Sequence, residues 1–353
     1  MGWDAFFEAH FVPFREQDML PARIIRQDRT GYVLLSKTGR LSAKVAGKLF
    51  LGGSKGLLPT VGDWVAIENR PGENTTIIRE LLPRKSKFSR KAVGESDDEQ
   101  VVAANVDTVF LVSALDNEFN VRRMERYLTL AWDSGARPVI VLNKVDLCGD
   151  VDARISEVKS IAAGVDIYTM SATQESSVDE LRQFLSKGKT CAFLGSSGVG
   201  KSTLVNCLLG EERMKTGEIR ADDSRGRHVT SHKELVFAPG GGMIIDTPGM
   251  RELQLLGTEE TLKGAFQDIE ELATQCRFRN CRHKSEPGCG VRKALENGGL
   301  AKSRYLSYLK LKKELERTAL KKSDIGKRVE RARDKATGKL YKRIIKSKKS
   351  KRL

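Results

Sequence analysis

Short apolar stretches, in which apolar and polar residues tend to alternate, dominate residues 20–90. Examples are residues 22–25, 31–35, 64–67 and 76–78, each bounded by turn-forming residues. Strands of this length at this spacing predict a small β-barrel. Such barrels commonly bind nucleic acid, although a purely structural appendage fits the same residues. Residues 1–18 carry five aromatic side chains and are interpreted as an extension that packs on the barrel.

Longer apolar runs replace this pattern after residue 105. The runs that predict buried strands are 106–115, 137–142, 165–168, 190–194 and 242–245. A helix is expected over 121–134, where Asn120 is a good N-cap and Gly135 a stop signal. Strands that alternate with helices predict a mostly parallel sheet covered on both faces, with ligand-binding loops at the carboxyl ends of the strands. The polar residues 94–100 are interpreted as the linker from the barrel.

The run 190–194 leads into a Gly-x4-Gly-Lys-Ser motif, and residues 203–209 predict a helix that ends at Gly210. This is the context of a phosphate-binding loop, because backbone N–H groups and the helix dipole attract an anion. Lys201 is expected to contact the β- and γ-phosphates and to act in catalysis, and Ser202 to bind Mg²⁺. The residues expected to bind nucleotide here are Gly195, Ser196, Ser197, Gly198, Val199, Gly200, Lys201, Ser202 and Thr203.

Asp246 follows the apolar run 242–245, which places its carboxylate at the carboxyl end of a strand. There it is expected to hold Mg²⁺ through water, while the N–H of Gly249 senses the γ-phosphate. An Asp-x-x-Gly motif alone more often marks a turn. Beside a phosphate loop it becomes a specific signal.

The residues Asn143-Lys144-Val145-Asp146 follow another predicted strand. Asp146 is expected to accept hydrogen bonds from N1–H and the N2 amine of guanine, donors that adenine lacks. Asn143 and Lys144 would brace the loop and cover the base, and Ser171 and Ala172 would approach guanine O6 through backbone N–H groups. In an ordinary GTPase these base-binding motifs follow the phosphate loop. Here they precede it, so the set is complete but circularly permuted.

Three cysteines and a histidine cluster near the carboxyl end as Cys276-x4-Cys281-x-His283-x5-Cys289. Four such ligands suit tetrahedral Zn²⁺, and a set with no open position suits a structural site. Free thiols are the alternative. A metal would help to fold a module with little core of its own. Residues 305–311 predict an amphipathic helix that packs on this module.

Together these motifs resemble the circularly permuted GTPases that depend on the small ribosomal subunit, the RsgA/YjeQ type, over nearly the entire chain. The similarity extends to residues 103–107, to a switch-I motif at 226–231 and to a second switch at 246–252. It implies an α/β P-loop GTPase with a circularly permuted, mostly parallel sheet, an N-terminal OB-fold β-barrel and a C-terminal α-helical zinc-binding module. The expected segments are an extension (1–19), the barrel (20–92), the GTPase domain (101–252), the zinc module (253–320) and a basic tail (321–353).

The second switch does not contain the residue that would position the attacking water. Met250 stands where Ras-like enzymes carry glutamine, and its thioether cannot orient water. His228 is the candidate, as the resemblance also implies, because a neutral imidazole can orient or deprotonate water. An ordinary loop histidine is the alternative. Thr230 is expected to bind Mg²⁺ and assist catalysis, but Val229 departs from the family's three consecutive hydroxyl residues and leaves Ser231 as an alternative ligand.

The net charge of +16 is concentrated in residues 321–353, which hold 15 Lys and Arg against 3 Asp and Glu. Such a tail predicts an electrostatic arm for a polyanion. RNA is favoured over an acidic membrane, because Ile344 and Ile345 provide little apolar anchor. No apolar run is long enough to span a membrane and the first residues lack the layout of a secretion signal, so a cytoplasmic location without membrane contact is expected. Six cysteines fit thiols or metal ligands there.

The resemblance implies a GTP hydrolase that is stimulated by the small ribosomal subunit and acts late in its maturation. It would bind the subunit and its rRNA with GTP and leave after hydrolysis to GDP. One structural Zn²⁺, Mg²⁺ with GTP, and a monomer are expected. One alternative is a free-standing GTPase switch with an RNA-localising tail, and another is an RNA-binding assembly protein with a vestigial nucleotide site. The intact motifs oppose the vestigial site.

Overall fold

The computed structural model describes residues 1–28, 31–47, 58–91, 99–172, 174–214, 233–246 and 259–316. Up to residue 81, five strands of this described part form a closed barrel, because β1 pairs with both β2 and β4. The order is β1-β2-β3-β5-β4, with β3 and β5 parallel and the other pairs antiparallel. This OB-like barrel confirms the expected fold. The strands are β1 (Met19–Gln27), β2 (Tyr32–Ser36), β3 (Gly39–Val45), β4 (Trp64–Glu68) and β5 (Thr75–Leu81).

A short helix, α1 (Ala5–Arg15), packs on the outside of the barrel. Asp4 caps it by accepting a hydrogen bond from the N–H of Phe6 at 3.1 Å. Phe7 and Phe11 are almost fully buried and share a cluster with Trp64 of β4. The aromatic residues at the start of the chain therefore form a second apolar cluster against the outer face of the barrel.

A two-stranded antiparallel ladder joins the barrel to the next domain, formed by β6 (Lys87–Lys91) and β7 (Glu99–Ala104). The sequence predicts a linker over residues 94–100, and this boundary is wrong by two residues. Glu99 begins β7 instead, because its carboxylate accepts hydrogen bonds from Lys87 at 2.8 Å and Ser89 at 2.7 Å on β6. Glu99, which the sequence places in a solvated linker, is thus held by its cross-strand neighbours.

The central sheet has the order β10-β9-β8-β11-β13-β12. The neighbouring strands β10, β9, β8, β11 and β13 are parallel, and β12 at the end is antiparallel to β13. The permuted, mostly parallel sheet is thereby confirmed. Its strands are β8 (Thr108–Ala114), β9 (Arg137–Asn143), β10 (Asp166–Met170), β11 (Thr190–Leu194), β12 (Lys233–Phe237) and β13 (Met243–Asp246).

Apolar layers cover both faces of this sheet, because successive strand residues point to opposite sides. Val109 and Leu111 of β8 belong to one buried cluster, whereas Phe110 and Val112 belong to another. The helices of this domain are α2 (Val121–Ser134), α3 (Val151–Lys159), α4 (Glu175–Arg182) and α5 (Lys201–Leu209). The predicted bounds of α2 are confirmed, with the Asn120 side chain accepting from Arg123 N–H and Gly135 ending the helix in the left-handed region.

The barrel and the central sheet are hydrogen-bonded to each other through β1 and β12, where Arg26 pairs with Glu234 and Gln27 with Lys233. Within the described residues this joins eleven strands into one sheet. The barrel therefore contacts the central sheet at β12, the strand that begins directly after residue 232.

The carboxyl-terminal module is helical. It contains α6 (Glu259–Ala265), α7 (Gln267–Thr274), α8 (Gly290–Glu296) and a helix over 302–316, here α9. Phe266, Tyr305 and Tyr308 contribute to its core, and α6 packs against α2 of the central domain. The predicted amphipathic helix at 305–311 lies inside α9. Among the described helices none has the length and apolarity needed to cross a bilayer.

Candidate functional site

The glycine-rich loop connects β11 to the first turn of α5, as the motif requires. Gly200 has φ +97°, which favours glycine, and a Cβ there would collide with the side-chain amide of Asn143. Lys201 donates hydrogen bonds from Nζ to the carbonyl oxygens of Gly195, at 2.8 Å, and of Ser196. Ser202 and Thr203 follow in the first turn of α5, both half-buried. The loop therefore presents backbone N–H groups and a helix N-terminus in the arrangement that binds phosphate.

Asn143 holds three loops together at the carboxyl ends of β9, β10 and β11. Its side chain is almost fully buried, at 1% exposure. Nδ2 donates to the carbonyl oxygen of Val199 in the phosphate loop at 2.9 Å, and Oδ1 accepts from the N–H of Ala172 at 2.9 Å. One residue thus fixes the spacing between the phosphate loop, the Asn-Lys-x-Asp loop and the Ser171–Ala172 loop. These loops are the three that the sequence assigns to one nucleotide.

Lys144 and Asp146 lie on the solvent side of the same loop. Lys144 has φ +62°, and its Nζ forms an ion pair with Asp116 at 3.0 Å. Burial opposes the charge on Asp116, but the hydrogen bonds from Lys144 and the Glu118 N–H, together with the Lys144 charge, lower the pKa of that carboxyl group. Asp146 is exposed. Its carboxylate is therefore accessible to a ligand, while Lys144 is held in a fixed position beside it.

Asp246 ends β13 next to the phosphate-loop strand, since β13 and β11 are parallel neighbours. Carboxyl ends of parallel strands meet at one edge, so Asp246 and Ser202 share that edge of the sheet. Four further predicted site residues, Gly249, His228, Thr230 and Ser231, lie outside the described residues.

Two residues at this site were not predicted from the sequence. Arg123 donates from Nη1 to the Ser196 hydroxyl oxygen at 2.7 Å, and the Tyr127 hydroxyl lies 3.3 Å from the same oxygen. Both belong to α2. Their spacing of four residues places them on one face of the helix. This spacing is the sequence signal that could have indicated them, but it occurs in many helices and is not specific.

The cysteine and histidine cluster has the dimensions of a tetrahedral metal site. All four ligand atoms lie within 4.8 Å of one another. Cys276 Sγ is 3.8 Å from Cys289 Sγ, and His283 Nδ1 is 3.6 Å and 3.4 Å from the same two sulfurs. Zinc–sulfur bonds of ~2.3 Å and zinc–nitrogen bonds of ~2.0 Å at tetrahedral angles place sulfurs about 3.8 Å apart and sulfur about 3.5 Å from nitrogen. The residues therefore fit Zn²⁺.

The surroundings affect the thiols of the cluster differently. Burial opposes ionisation of Cys276, yet hydrogen bonds from the N–H groups of Val291 and Gly290 and from the other two cysteines together lower the pKa of that thiol. By contrast, burial raises the pKa of the Cys281 thiol to about 11. Cys289 also caps α8, where its sulfur accepts from the N–H of Arg292 at 3.4 Å. The carbonyl of His283 accepts from the Tyr305 hydroxyl at 2.9 Å, which ties the cluster to α9. A metal here would therefore stabilise the packing of α8 and α9.

Comparison with known proteins agrees with this geometry. The family described as RsgA GTPase matches residues 81–256. A curated relative, the small ribosomal subunit biogenesis GTPase RsgA of Opitutus terrae, is 45% identical over 343 residues, which cover 94% of each chain.

Two solved structures are also similar. YjeQ from Thermotoga maritima has a TM-score of 0.63 at 31% identity and covers 84% of this chain and 98% of its own. YloQ, described as a circularly permuted GTPase, has a TM-score of 0.61 at 26% identity and covers 84% of this chain and 95% of its own. The permuted topology is thus shared with structures that span most of the chain.

Proposed function

Because the chain belongs to the RsgA GTPase family, we propose that it hydrolyses GTP and acts in the maturation of the small ribosomal subunit. The relative from Opitutus terrae carries that role in its name and matches 94% of this chain. The observation that carries the proposal is the pair of hydrogen bonds at Asn143, one donated to Val199 and one accepted from Ala172, which joins the phosphate-binding and base-binding loops into one site.

Guanine selection rests on Asp146. Its exposed carboxylate accepts hydrogen bonds from N1–H and the N2 amine of the base, a pair of donors that adenine does not offer. Asn143 holds the Ser171–Ala172 loop through the N–H of Ala172, which sets that loop beside the base, and Lys144, held by Asp116, covers the base. Adenine would leave the Asp146 carboxylate without its two donors, so the site discriminates against ATP.

The phosphates lie over the glycine-rich loop. Lys201 leaves the carbonyl oxygens of Gly195 and Ser196 and turns to the β- and γ-phosphates. Ser202, Asp246 and Thr230 would hold Mg²⁺, which would neutralise charge on the β- and γ-phosphates when bound.

Water activation falls to His228, because Met250 offers no polar group at the position of the Ras-type glutamine. A neutral imidazole orients the attacking water and accepts its proton at a ring nitrogen. The N–H of Gly249 reports the presence of the γ-phosphate. These roles are carried by residues on the two switch segments, so hydrolysis and conformational change are coupled.

The remaining parts serve the ribosomal partner. One Zn²⁺ on Cys276, Cys281, His283 and Cys289 stabilises the helical module, and the basic residues 321–353 contact rRNA phosphates. The OB-like barrel supplies a second RNA-binding surface. The protein acts as a monomer in the cytoplasm, where it binds subunits with GTP and leaves them with GDP.

The test is co-sedimentation of the full chain with small subunits in the presence of GDP or a non-hydrolysable GTP analogue. GTP can favour subunit binding only if contacts differ between the two states, and linkage makes the effect mutual. We expect tighter binding with the analogue than with GDP. Removing residues 321–353 should weaken subunit binding with either nucleotide. It should also make that binding less sensitive to salt, because fewer counterions are released. Equal binding with both nucleotides would contradict the switch.

A further inference from the structure

One helix, α2, contacts both the phosphate loop and the carboxyl-terminal module. Arg123 and Tyr127 lie on the face that meets the phosphate loop. Arg126 and Asp133 lie roughly a quarter of a turn around the helix from that face, and Glu125 lies about half a turn away, at ~100° per residue of an α-helix. Through these three residues α2 holds the module. No residue of α2 belongs to a nucleotide-binding motif, so its double contact is independent of those motifs.

The contact with the phosphate loop converges on the Ser196 hydroxyl. Arginine only donates hydrogen bonds, so Ser196 Oγ accepts from Arg123 at 2.7 Å and can donate its own proton to the Tyr127 hydroxyl at 3.3 Å. The carbonyl of Ser196 accepts a hydrogen bond from Lys201 Nζ. When Lys201 turns to bound phosphates, this hydrogen bond breaks. Ser196 is therefore a point where nucleotide binding changes the contacts of a residue that α2 holds.

The contact with the module is formed by ion pairs. Arg126 makes a bidentate pair with Glu314 of α9, at 2.6 Å and 2.9 Å. Glu125 is fully buried and accepts from Arg304 of α9 at 2.9 Å. Arg304 also makes a bidentate pair with Asp268 of α7, at 3.0 Å and 2.9 Å.

Near the other end of α2, Asp133 accepts from the Thr261 hydroxyl of α6 at 3.1 Å. Paired charges at low exposure with planar, two-pronged geometry fix orientation as well as distance. The module is thus attached to α2 along several turns, including the turn that carries Arg123 and Tyr127.

We propose that α2 couples the phosphate loop to the carboxyl-terminal module, with Arg123 and Tyr127 as positioning residues that hold Ser196. The inference rests on the proposed function, since it concerns how that nucleotide site is regulated. A rigid helix transmits a shift at Ser196 to Glu314 and Arg304 without help from the switch segments. By linkage, a partner that shifts the equilibrium between two positions of the module changes nucleotide affinity. Nucleotide binding changes the affinity for that partner by the same factor.

The test measures the affinity of the full chain for GDP and for a non-hydrolysable GTP analogue by titration of a fluorescent derivative of each. Glu314→Ala removes a module residue that is not part of a nucleotide motif. We expect it to change the ratio of the two affinities by about two- to fivefold, the range for an ion pair whose side chains are about one-third exposed. Ser196→Ala should abolish this effect, so that adding Glu314→Ala to it changes the ratio no further. Independent sites would instead combine their effects to within about twofold.

Further variants act as rescue and control. Exchanging the charges, Arg126→Glu with Glu314→Arg, should restore the parent ratio. Glu314→Gln removes the charge but keeps the size of the side chain; it should shift the ratio as Glu314→Ala does, and it keeps the test decisive if Glu314→Ala disturbs folding. Arg154→Ala breaks a comparable exposed pair with Glu157 on α3 and should leave the ratio unchanged.

Each outcome bears on a different claim. The coupling would be overturned if Glu314→Ala had the same ratio of GDP to GTP-analogue affinity as the parent protein. It would also be overturned if Glu314→Ala changed that ratio equally with and without Ser196→Ala. Either result would leave the GTPase assignment intact. A parent protein that does not prefer guanine over adenine nucleotides would overturn the proposed function, and the coupling with it.

Discussion

Asn143→Ala is the substitution that most directly disturbs the architecture of the nucleotide site. It removes the hydrogen bond to the Val199 carbonyl oxygen and the one from the Ala172 N–H, both at 2.9 Å. Asn143 is 1% exposed and Ala172 is 7% exposed, so water does not easily replace the lost partner. The three loops would then be free to separate while the strands beneath them stay packed.

The magnitude follows from the two lost bonds. Each neutral hydrogen bond contributes about 1 kcal/mol net, and leaving one buried N–H unpaired costs about another 1–3 kcal/mol. The total is about 3 to 5 kcal/mol, and its lower end corresponds to roughly a hundredfold in affinity if all of it appears in nucleotide binding. Part of the loss will appear as reduced stability of the unliganded protein. We therefore expect GDP affinity to fall by between about tenfold and a hundredfold.

Calorimetric titration with GDP and thermal unfolding measure the two parts separately. Asn206→Ala is the matched control, because Asn206 also makes two side-chain hydrogen bonds, both at 2.8 Å to the backbone of Met214 beyond α5. It should lower the melting temperature with a much smaller effect on affinity. If Asn143→Ala binds GDP within twofold of the parent protein and melts at the same temperature, the reasoning about the joined loops is refuted.

Three further predictions follow from the proposed roles. Asp146→Asn should lower GTP affinity and preference for guanine with little loss of stability, because Asp146 is exposed; an unchanged GTP affinity would contradict the base-reading role. Elemental analysis should find about one Zn²⁺ per chain, and Cys281→Ser should unfold the carboxyl-terminal module while nucleotide binding persists; protein purified without chelator that contains no metal would contradict the zinc assignment. His228→Ala should slow subunit-stimulated hydrolysis with nearly unchanged GTP affinity, since a water-positioning group acts in the transition state; unaffected turnover would make His228 a bystander.

Much of the fold could be predicted because local and tertiary signals agree. The helix α2 begins after Asn120 and ends at Gly135 both in the predicted pattern and in the structure, since the cap and the stop are local features. The runs 138–142 and 191–194 are apolar throughout and lie in strands buried on both faces, β9 and β11. The order of the nucleotide motifs predicts the permuted sheet.

Other features depend on contacts between distant residues, and the sequence alone does not indicate them. The strand β12 has two charged residues in five, and its pairing with β1 of the barrel has no local signature. The sequence places Glu99 in an acidic linker, and only the folded structure shows its hydrogen bonds with Lys87 and Ser89.

The partner of Arg123 is equally remote. It lies 73 positions further along the chain, at Ser196. Many helices carry an arginine in the first turn, so only the folded chain shows which one meets the phosphate loop.

The measurement that tests the central claim most directly is the rate of GTP hydrolysis by the full chain with and without purified small ribosomal subunits. We expect subunits to raise the rate by about an order of magnitude or more, because Met250 leaves the isolated enzyme without the usual water-orienting glutamine. Lys201→Ala should be inactive in both conditions, which excludes a contaminating hydrolase. Equal rates with and without subunits would contradict the account in favour of a free-standing switch, and no hydrolysis in either condition would indicate a vestigial nucleotide site.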